Sequence, residues 1–163
     1  MKTHEFHIPE TQGIRTLDLR TFAVSSPSGG SDVSNTVAVA AGETLVAVAV
    51  PEPGAPISCR FDLAEGAKLV LRSLVRPGAS AELSVYLKGD RSEADVRAVA
   101  VSENGHTASY SSKTVTSASK TRASSNVAAF SLPGGNLSVT TIAEITEGVF
   151  GAYAEAVQSN VLF

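Results

Sequence analysis

Residues 53–89 read PGAPISCRFDLAEGAKLVLRSLVRPGASAELSVYLKG, and glycines recur in this stretch every twelve positions, at Gly54, Gly66 and Gly78. Gly42 precedes them by the same interval. After each glycine, apolar and polar residues alternate with a period of two, which is typical of a half-buried strand. The alternation keeps one phase relative to every glycine, so the same face of each unit is predicted to point inward. The stretch therefore predicts short strands separated by glycine corners.

The length of the repeat predicts how these strands stack. One unit holds a strand and a corner, so a closed coil needs about two units, and residues about 24 apart are expected to lie over one another in one sheet. This arithmetic predicts an all-β fold, a flattened parallel β-helix with units of about 12 residues. The predicted inward side chains are Ile57, Cys59, Phe61 and Leu63, then Leu69, Leu71, Ser73 and Val75, then Ala79, Ala81, Leu83, Val85 and Leu87.

An antiparallel sandwich or jelly roll is the alternative, because hairpins produce the same local alternation. Two-residue hairpins prefer Asn-Gly or Asp-Gly turns. The chain has one such dipeptide, Asn104-Gly105, and the fixed phase of the apolar positions also favours the β-helix.

A chain of 163 residues with 43% hydrophobic residues is long enough for one core. Residues 1–32 are predicted to be an N-terminal arm and loop, because SSPSGGSD at 25–32 offers no apolar face. Residues 33–163 are predicted to be the β-helix domain. Its later strands are expected at 94–103, 106–115, 119–132, 136–145 and 150–163.

The composition bears on partners and compartment. A net charge of −3 argues against nucleic acid or a membrane surface bound through charge. No apolar run has the roughly 18 residues that a membrane helix requires, and the first residues do not resemble a signal peptide. A single cysteine excludes an internal disulfide. We therefore expect a cytoplasmic protein.

Cys59 and His106 are the candidate metal ligands. The phase of the strand places Cys59 between Ile57 and Phe61 on the inward face, which favours a small apolar core residue over a reactive thiol. His106 directly follows the glycine of a turn, which favours a residue that caps a corner over a ligand or proton carrier.

Other polar groups are interpreted as solvated surface. No phosphate-binding loop, nucleophile elbow or pair of carboxylates in a groove is recognisable, so we expect no catalytic residues and no enzyme activity. The surface groups are His4 and His7 in the arm, the acidic cluster Asp90, Glu93 and Asp95, and a Ser/Thr-rich basic face with Lys113, Lys120 and Arg122.

The last predicted strand is apolar and has no capping element. An uncovered edge of this kind pairs readily with another chain. The sequence therefore predicts a homodimer through the C-terminal edge, with Val157, Val161, Leu162 and Phe163 in the interface.

Three segments of the chain resemble the SufB/SufD family, the scaffold proteins of the SUF iron–sulfur assembly system. DLAEGAKLVL at 62–71 is similar to an acidic turn that leads into an apolar rung of that family. SVYLKGDRSEADVRAVAVSENGHTAS at 84–109 and the sequence from 114 to 163 resemble its later rungs. These patterns of small and apolar residues extend over roughly two-thirds of the chain.

The resemblance implies a right-handed parallel β-helix that acts as a non-catalytic scaffold or partner subunit in iron–sulfur cluster assembly. It implies an iron–sulfur cluster as a transient cargo, with no cofactor in the isolated chain, and an ABC-type SUF ATPase as a partner. The functional Cys, Glu and His positions of the family have no counterpart in this sequence, so the resemblance assigns no site residue. The alternative is a structural or surface β-solenoid that associates with itself and has no cluster role.

Overall fold

The computed structural model describes residues 13–19 and 35–163. His4, His7 and the loop at 25–32 lie outside the described residues. Eleven strands form in the described part of the chain: β1 (Ile14–Asp18), β2 (Asn35–Val39), β3 (Thr44–Ala49), β4 (Ile57–Leu63), β5 (Lys68–Val75), β6 (Ser80–Leu87), β7 (Glu93–Ser102), β8 (Thr107–Thr116), β9 (Arg122–Ser131), β10 (Asn136–Ile145) and β11 (Tyr153–Leu162).

Successive strands alternate between two sheets. The odd-numbered strands form a six-stranded sheet in the order β1-β3-β5-β7-β9-β11, and the even-numbered strands form a five-stranded sheet in the order β10-β8-β6-β4-β2. The paired strands within each sheet are parallel, for example β4 with β6 and β7 with β9. The chain is therefore a β-solenoid of about five turns. The predicted parallel β-helix is confirmed, and the antiparallel sandwich and jelly roll are excluded.

The register follows the glycine spacing. Cys59 is the Cα partner of Leu83, 24 positions later, as the repeat predicts. The later coils are longer: Glu93 pairs with Arg122, 29 positions later. Strands β7 to β11 have ten residues each, whereas β1 has five and β3 has six. The solenoid is therefore wider in its later coils than in its first.

The core lies between the two sheets. Burial alternates along β4, where Ile57, Cys59, Phe61 and Leu63 are buried and the intervening residues are half-buried. The same alternation in β6 buries Leu83, Val85 and Leu87, so the inward face predicted from the sequence is confirmed. Complete burial of a Leu or Phe side chain contributes roughly 1.5–3 kcal/mol. The apolar interior therefore stabilises the stack of coils together with the hydrogen bonds between them.

The corners stack as the strands do. At the corner before the odd-numbered strands, Gly42 N–H donates to Glu65 O at 2.9 Å and Gly66 N–H donates to Asp90 O at 2.9 Å. Gly42 has a φ of 71°, which glycine adopts without strain. Lys120 holds a φ of 57° at the equivalent corner before β9, where its N–H donates to Phe150 O at 2.8 Å. The corner therefore keeps its conformation even where the sequence has no glycine.

The first strand lies inside the range that the sequence assigns to the arm. Residues of β1 pair in parallel with β3, from Ile14 opposite Thr44 to Asp18 opposite Val48. Leu19, which follows β1, is fully buried. The six-stranded sheet thus begins before the repeat region that the glycines define.

Candidate interaction site at the last coil

The last coil exposes one edge of each sheet. Strand β10 ends the five-stranded sheet and β11 ends the six-stranded sheet, and each has a partner on one side only within the described residues. The uncovered N–H and C=O groups of a strand edge can pair with a further strand. The last coil is therefore the candidate interaction site of this molecule.

The register shows which side chains of β11 face the interior. Leu162 lies opposite Ser131 and Gln158 lies opposite the buried Val127, so both continue inward columns. Val157 lies opposite Asn126 instead, and Val161 lies opposite Phe130, so these two valines belong to the outer face of the sheet. All of the predicted interface residues are exposed: Val157 39%, Val161 38%, Leu162 81% and Phe163 73%.

The inward face of this coil is partly polar. The Gln158 side-chain amide donates to Asn160 Oδ1 at 3.0 Å, and both residues occupy inward positions. A cavity of about 550 Å³ lies between the start of β10 and the end of β11, lined by Leu137, Val139, Gln158, Asn160 and Leu162 among others. A strand of another chain that paired with this coil would therefore contact the apolar Leu137, Val139 and Leu162 beside the side-chain amides of Gln158 and Asn160.

Cys59 lies in the core, as its phase predicts. The residue is 2% exposed, and burial raises the pKa of its thiol from 9.0 to about 12. A thiol with this pKa is protonated at neutral pH, whereas a metal ligand or nucleophile must be a thiolate. Cys59 is therefore a packing residue of the core.

His106 lies at an exposed corner before β8. Its backbone N–H donates to Glu103 O at 2.9 Å, and its carbonyl accepts from Asn136 N at 3.0 Å. The Ser102 hydroxyl also donates to the His106 carbonyl, at 2.9 Å. The backbone of His106 thus ties two coils together, and no group of three or more His, Cys, Asp or Glu side chains arranged to hold a metal occurs in residues 13–19 and 35–163.

The acidic cluster is divided among separate partners. Asp90 accepts a hydrogen bond from Ser119 N at 2.9 Å, and Glu93 lies 3.4 Å from Lys68 Nζ. Asp95 contacts two guanidinium groups, which together hold the pKa of its carboxyl below its usual value against the opposing effect of burial. Glu93 and Asp95 are thus paired with cationic side chains and Asp90 with a backbone N–H, so the three carboxylates have separate partners.

The prediction that Lys113, Lys120 and Arg122 form one basic face is wrong. Lys113 lies on β8 in the five-stranded sheet, where its Nζ is 3.0 Å from Glu144 Oε2. Arg122 lies on β9 in the other sheet and places its guanidinium 5.5 Å from the centre of the Tyr153 ring. Because successive strands alternate between the sheets, Lys113 and Arg122 face opposite sides of the solenoid.

The interior of the later coils contains a hydroxyl cluster that the sequence analysis missed. Ser112 and Ser125, from opposite sheets, place their Oγ atoms 3.5 Å apart. The buried hydroxyl of Tyr110 lies beside those of Ser73 and Ser112, and burial raises the pKa of Tyr110 against the opposing effect of these two hydroxyls. The signal was present in the sequence, since these positions keep the inward phase of their strands while their residue types are polar.

The comparisons with known proteins give no relative. No known protein family, no curated protein and no solved structure matches this chain. Within the described residues, no helix is long and apolar enough to cross a membrane.

Proposed function

We propose that this chain is a SufB/SufD-like scaffold or partner subunit in iron–sulfur cluster assembly in the cytoplasm, without catalytic activity of its own. In this role the chain binds the iron–sulfur cluster only transiently, as a cargo of the assembly system. Its proposed partners are a second copy of the chain and the ABC-type ATPase of the SUF system. Cys59, with its buried thiol, is not assigned as a ligand of the cluster.

The observation that supports this proposal is where the resembling segments fall in the fold. Residues 62–71 extend from the end of β4 into β5, residues 84–109 extend from β6 to the start of β8, and residues 114–163 contain β9 to β11. These segments form consecutive coils of one parallel β-helix, which is the fold that the resemblance implies.

The last coil supports the partner part of the proposal. Strands β10 and β11 have ten residues each, and their edges together offer two strands to a partner. A second copy that approaches with its own last coil presents edges of the same length, whereas β1 at the other end of the six-stranded sheet has only five residues. The match in width favours a tail-to-tail homodimer over a head-to-tail stack, and a closed two-fold contact of this kind is the commonest in oligomers.

Affinity capture under anaerobic conditions tests the assembly role. The tagged chain is produced in cells that contain a SUF system, and the captured proteins are identified by mass spectrometry. We expect the ABC-type ATPase among them, together with visible absorbance after reconstitution with iron and sulfide. A colourless protein that captures no ATPase contradicts the proposed role.

A structural β-solenoid that associates with itself is the second candidate. The exposed inward residues of the last coil favour it, because edge pairing needs no cluster chemistry. A chain that forms stable oligomers yet fails both parts of the capture experiment supports this candidate instead.

The edge contact has its own test. Leu162→Lys places a charge on the inward column of the last coil, and Val48→Lys places one on the outer face of β3, where Val48 is 41% exposed. We expect the Leu162 variant to be monomeric by light scattering and the Val48 control to stay dimeric. An unchanged mass for the Leu162 variant removes this edge from the interface.

A further inference from the structure

The corner between β7 and β8 contains the one Asn-Gly dipeptide of the chain, Asn104-Gly105. Both residues have positive φ, 49° at Asn104 and 75° at Gly105, and His106 N–H closes the turn on Glu103 O at 2.9 Å. Asn104, Gly105 and His106 are all exposed. The side-chain amide of Asn104 is therefore in water while its backbone is held in a tight turn.

Asn-Gly is the dipeptide most open to spontaneous deamidation, because glycine has no side chain to obstruct ring closure. The amide nitrogen of Gly105 attacks Cγ of Asn104, a C–N bond forms, and the side-chain nitrogen leaves as ammonia after taking up a proton. Water then adds to either carbonyl of the cyclic imide and opens it. The products are aspartate or isoaspartate at 104, without any oxidant or cofactor.

The fold opposes this attack at its nucleophile. Gly105 N–H donates to Gly134 O at 2.6 Å, and Asn104 N–H donates to Pro133 O at 3.2 Å. Both acceptors lie in the corner that leads into β10 of the last coil. For Gly105 N to reach Cγ, it must leave the Gly134 carbonyl and Asn104 must rotate out of its left-handed conformation.

We propose that Asn104 is a spontaneous modification site that the last coil protects, so that deamidation at 104 reports the opening of that coil. The product adds a carboxylate next to Glu103, and isoaspartate also lengthens the main chain by one carbon. Either change weakens the hydrogen bonds that join the corner 102–105 to the corner 133–135. Modification therefore converts a reversible opening into a lasting one.

Gly135→Ala is the matched perturbation. A Cβ at Gly135 lies 2.5 Å from the Ser102 carbonyl carbon and 2.6 Å from Glu103 N, so the corner has to lift away from its neighbour. Gly148→Ala is the control for strain elsewhere in the same coil, because its φ of 82° strains an alanine at the other corner while the new Cβ meets no heavy atom within 4 Å.

The experiment incubates the wild-type chain, both variants and urea-unfolded wild-type at neutral pH, and measures aspartate and isoaspartate at 104 by peptide mass spectrometry. We expect the native wild-type and Gly148→Ala to react at least about tenfold more slowly than the unfolded chain, because the reaction requires local opening. Gly135→Ala is expected to approach the unfolded rate.

Equal rates in native and unfolded wild-type overturn the proposal. So does equal acceleration by the two variants, because the protection would then not depend on this corner. Should Gly135→Ala fail to fold, amide hydrogen exchange of Gly105 in the native wild-type decides the matter. Strong protection of Gly105 N–H supports the proposal, and exchange at the unfolded rate overturns it.

Discussion

Substitution of Gly89 by alanine tests how closely the coils stack at their corners. Gly89 is not at a positive φ, so the substitution introduces no conformational strain of that kind. Its added Cβ would overlap Glu65 N and the carbonyl carbon of Ala64 in the preceding coil. Both atoms belong to backbone, and Gly89 N–H itself donates to Leu63 O at 3.0 Å. The methyl group can fit only if two hydrogen-bonded coils move apart.

The expected loss exceeds that of ordinary overpacking, which costs about 1–3 kcal/mol in cores where side chains can move. We expect Gly89→Ala to lower the free energy of unfolding by at least about 3 kcal/mol. Gly42→Ala is the control, because its φ of 71° strains an alanine while no heavy atom lies within 4 Å of the new Cβ. A left-handed conformation costs a non-glycine residue about 1–2 kcal/mol.

Urea denaturation followed by circular dichroism measures both losses. With an m-value of about 2 kcal/mol/M, the midpoint falls by about 1.5 M or more for Gly89→Ala and by about 0.5–1 M for Gly42→Ala. Equal midpoints for the two variants, or a Gly89 variant as stable as the wild type, refute the close backbone contact.

Four further substitutions, at three positions, test the corner, the core and the thiol. Lys120→Gly is expected to raise the thermal midpoint by relieving the φ of 57°, a gain of up to about 1 kcal/mol, and a lower midpoint contradicts this. Tyr110→Phe is expected to lower stability by about 1 kcal/mol or less, because the buried hydroxyl meets only the neutral hydroxyls of Ser73 and Ser112. Tyr110→Ala should lose about 3–5 kcal/mol in the same urea titration, because it empties a buried aromatic position. Burial raises the pKa of the Cys59 thiol from 9.0 to about 12. As the pH rises above 9 the unfolded chain loses this proton before the folded chain does, so the free energy of unfolding falls between pH 9 and 12. The wild type should therefore lose more stability than Cys59→Ala between pH 9 and 11. Parallel pH profiles for these two proteins would mean that the thiol ionises alike in both states.

Much of the fold could be predicted from the sequence because the repeat imposes one phase on every strand. Cys59 over Leu83 and the buried alternation of β4 and β6 follow from a twelve-residue unit and a period of two. The arithmetic weakens after Gly89, where the spacing of stacked residues grows from 24 to 29. Most of the added length lies in the strands, which grow from seven or eight residues in β4 to β6 to ten in β7 to β9, while the corners between them keep four or five residues. The period of two along each strand is unchanged, so the later strands could still be predicted.

The features that sequence reasoning misplaced depend on which sheet a strand joins. Lys113 and Arg122 are nine positions apart and lie on opposite sheets, so a basic segment in the sequence is not a basic face. Likewise, Val157 and Val161 are apolar but face outward, whereas the polar Gln158 and Asn160 face inward. Hydrophobicity alone does not identify the inward side of a last coil, because no further coil of the described chain covers it.

The proposed role is tested most directly by anaerobic capture with the 163-residue chain as bait. The account predicts that the ABC-type ATPase of the SUF system is recovered with the wild-type chain, and that the bait becomes coloured when iron and sulfide are supplied. Recovery of no SUF component by a folded bait that stays colourless would contradict the account, and the β-solenoid would then remain as a structural protein.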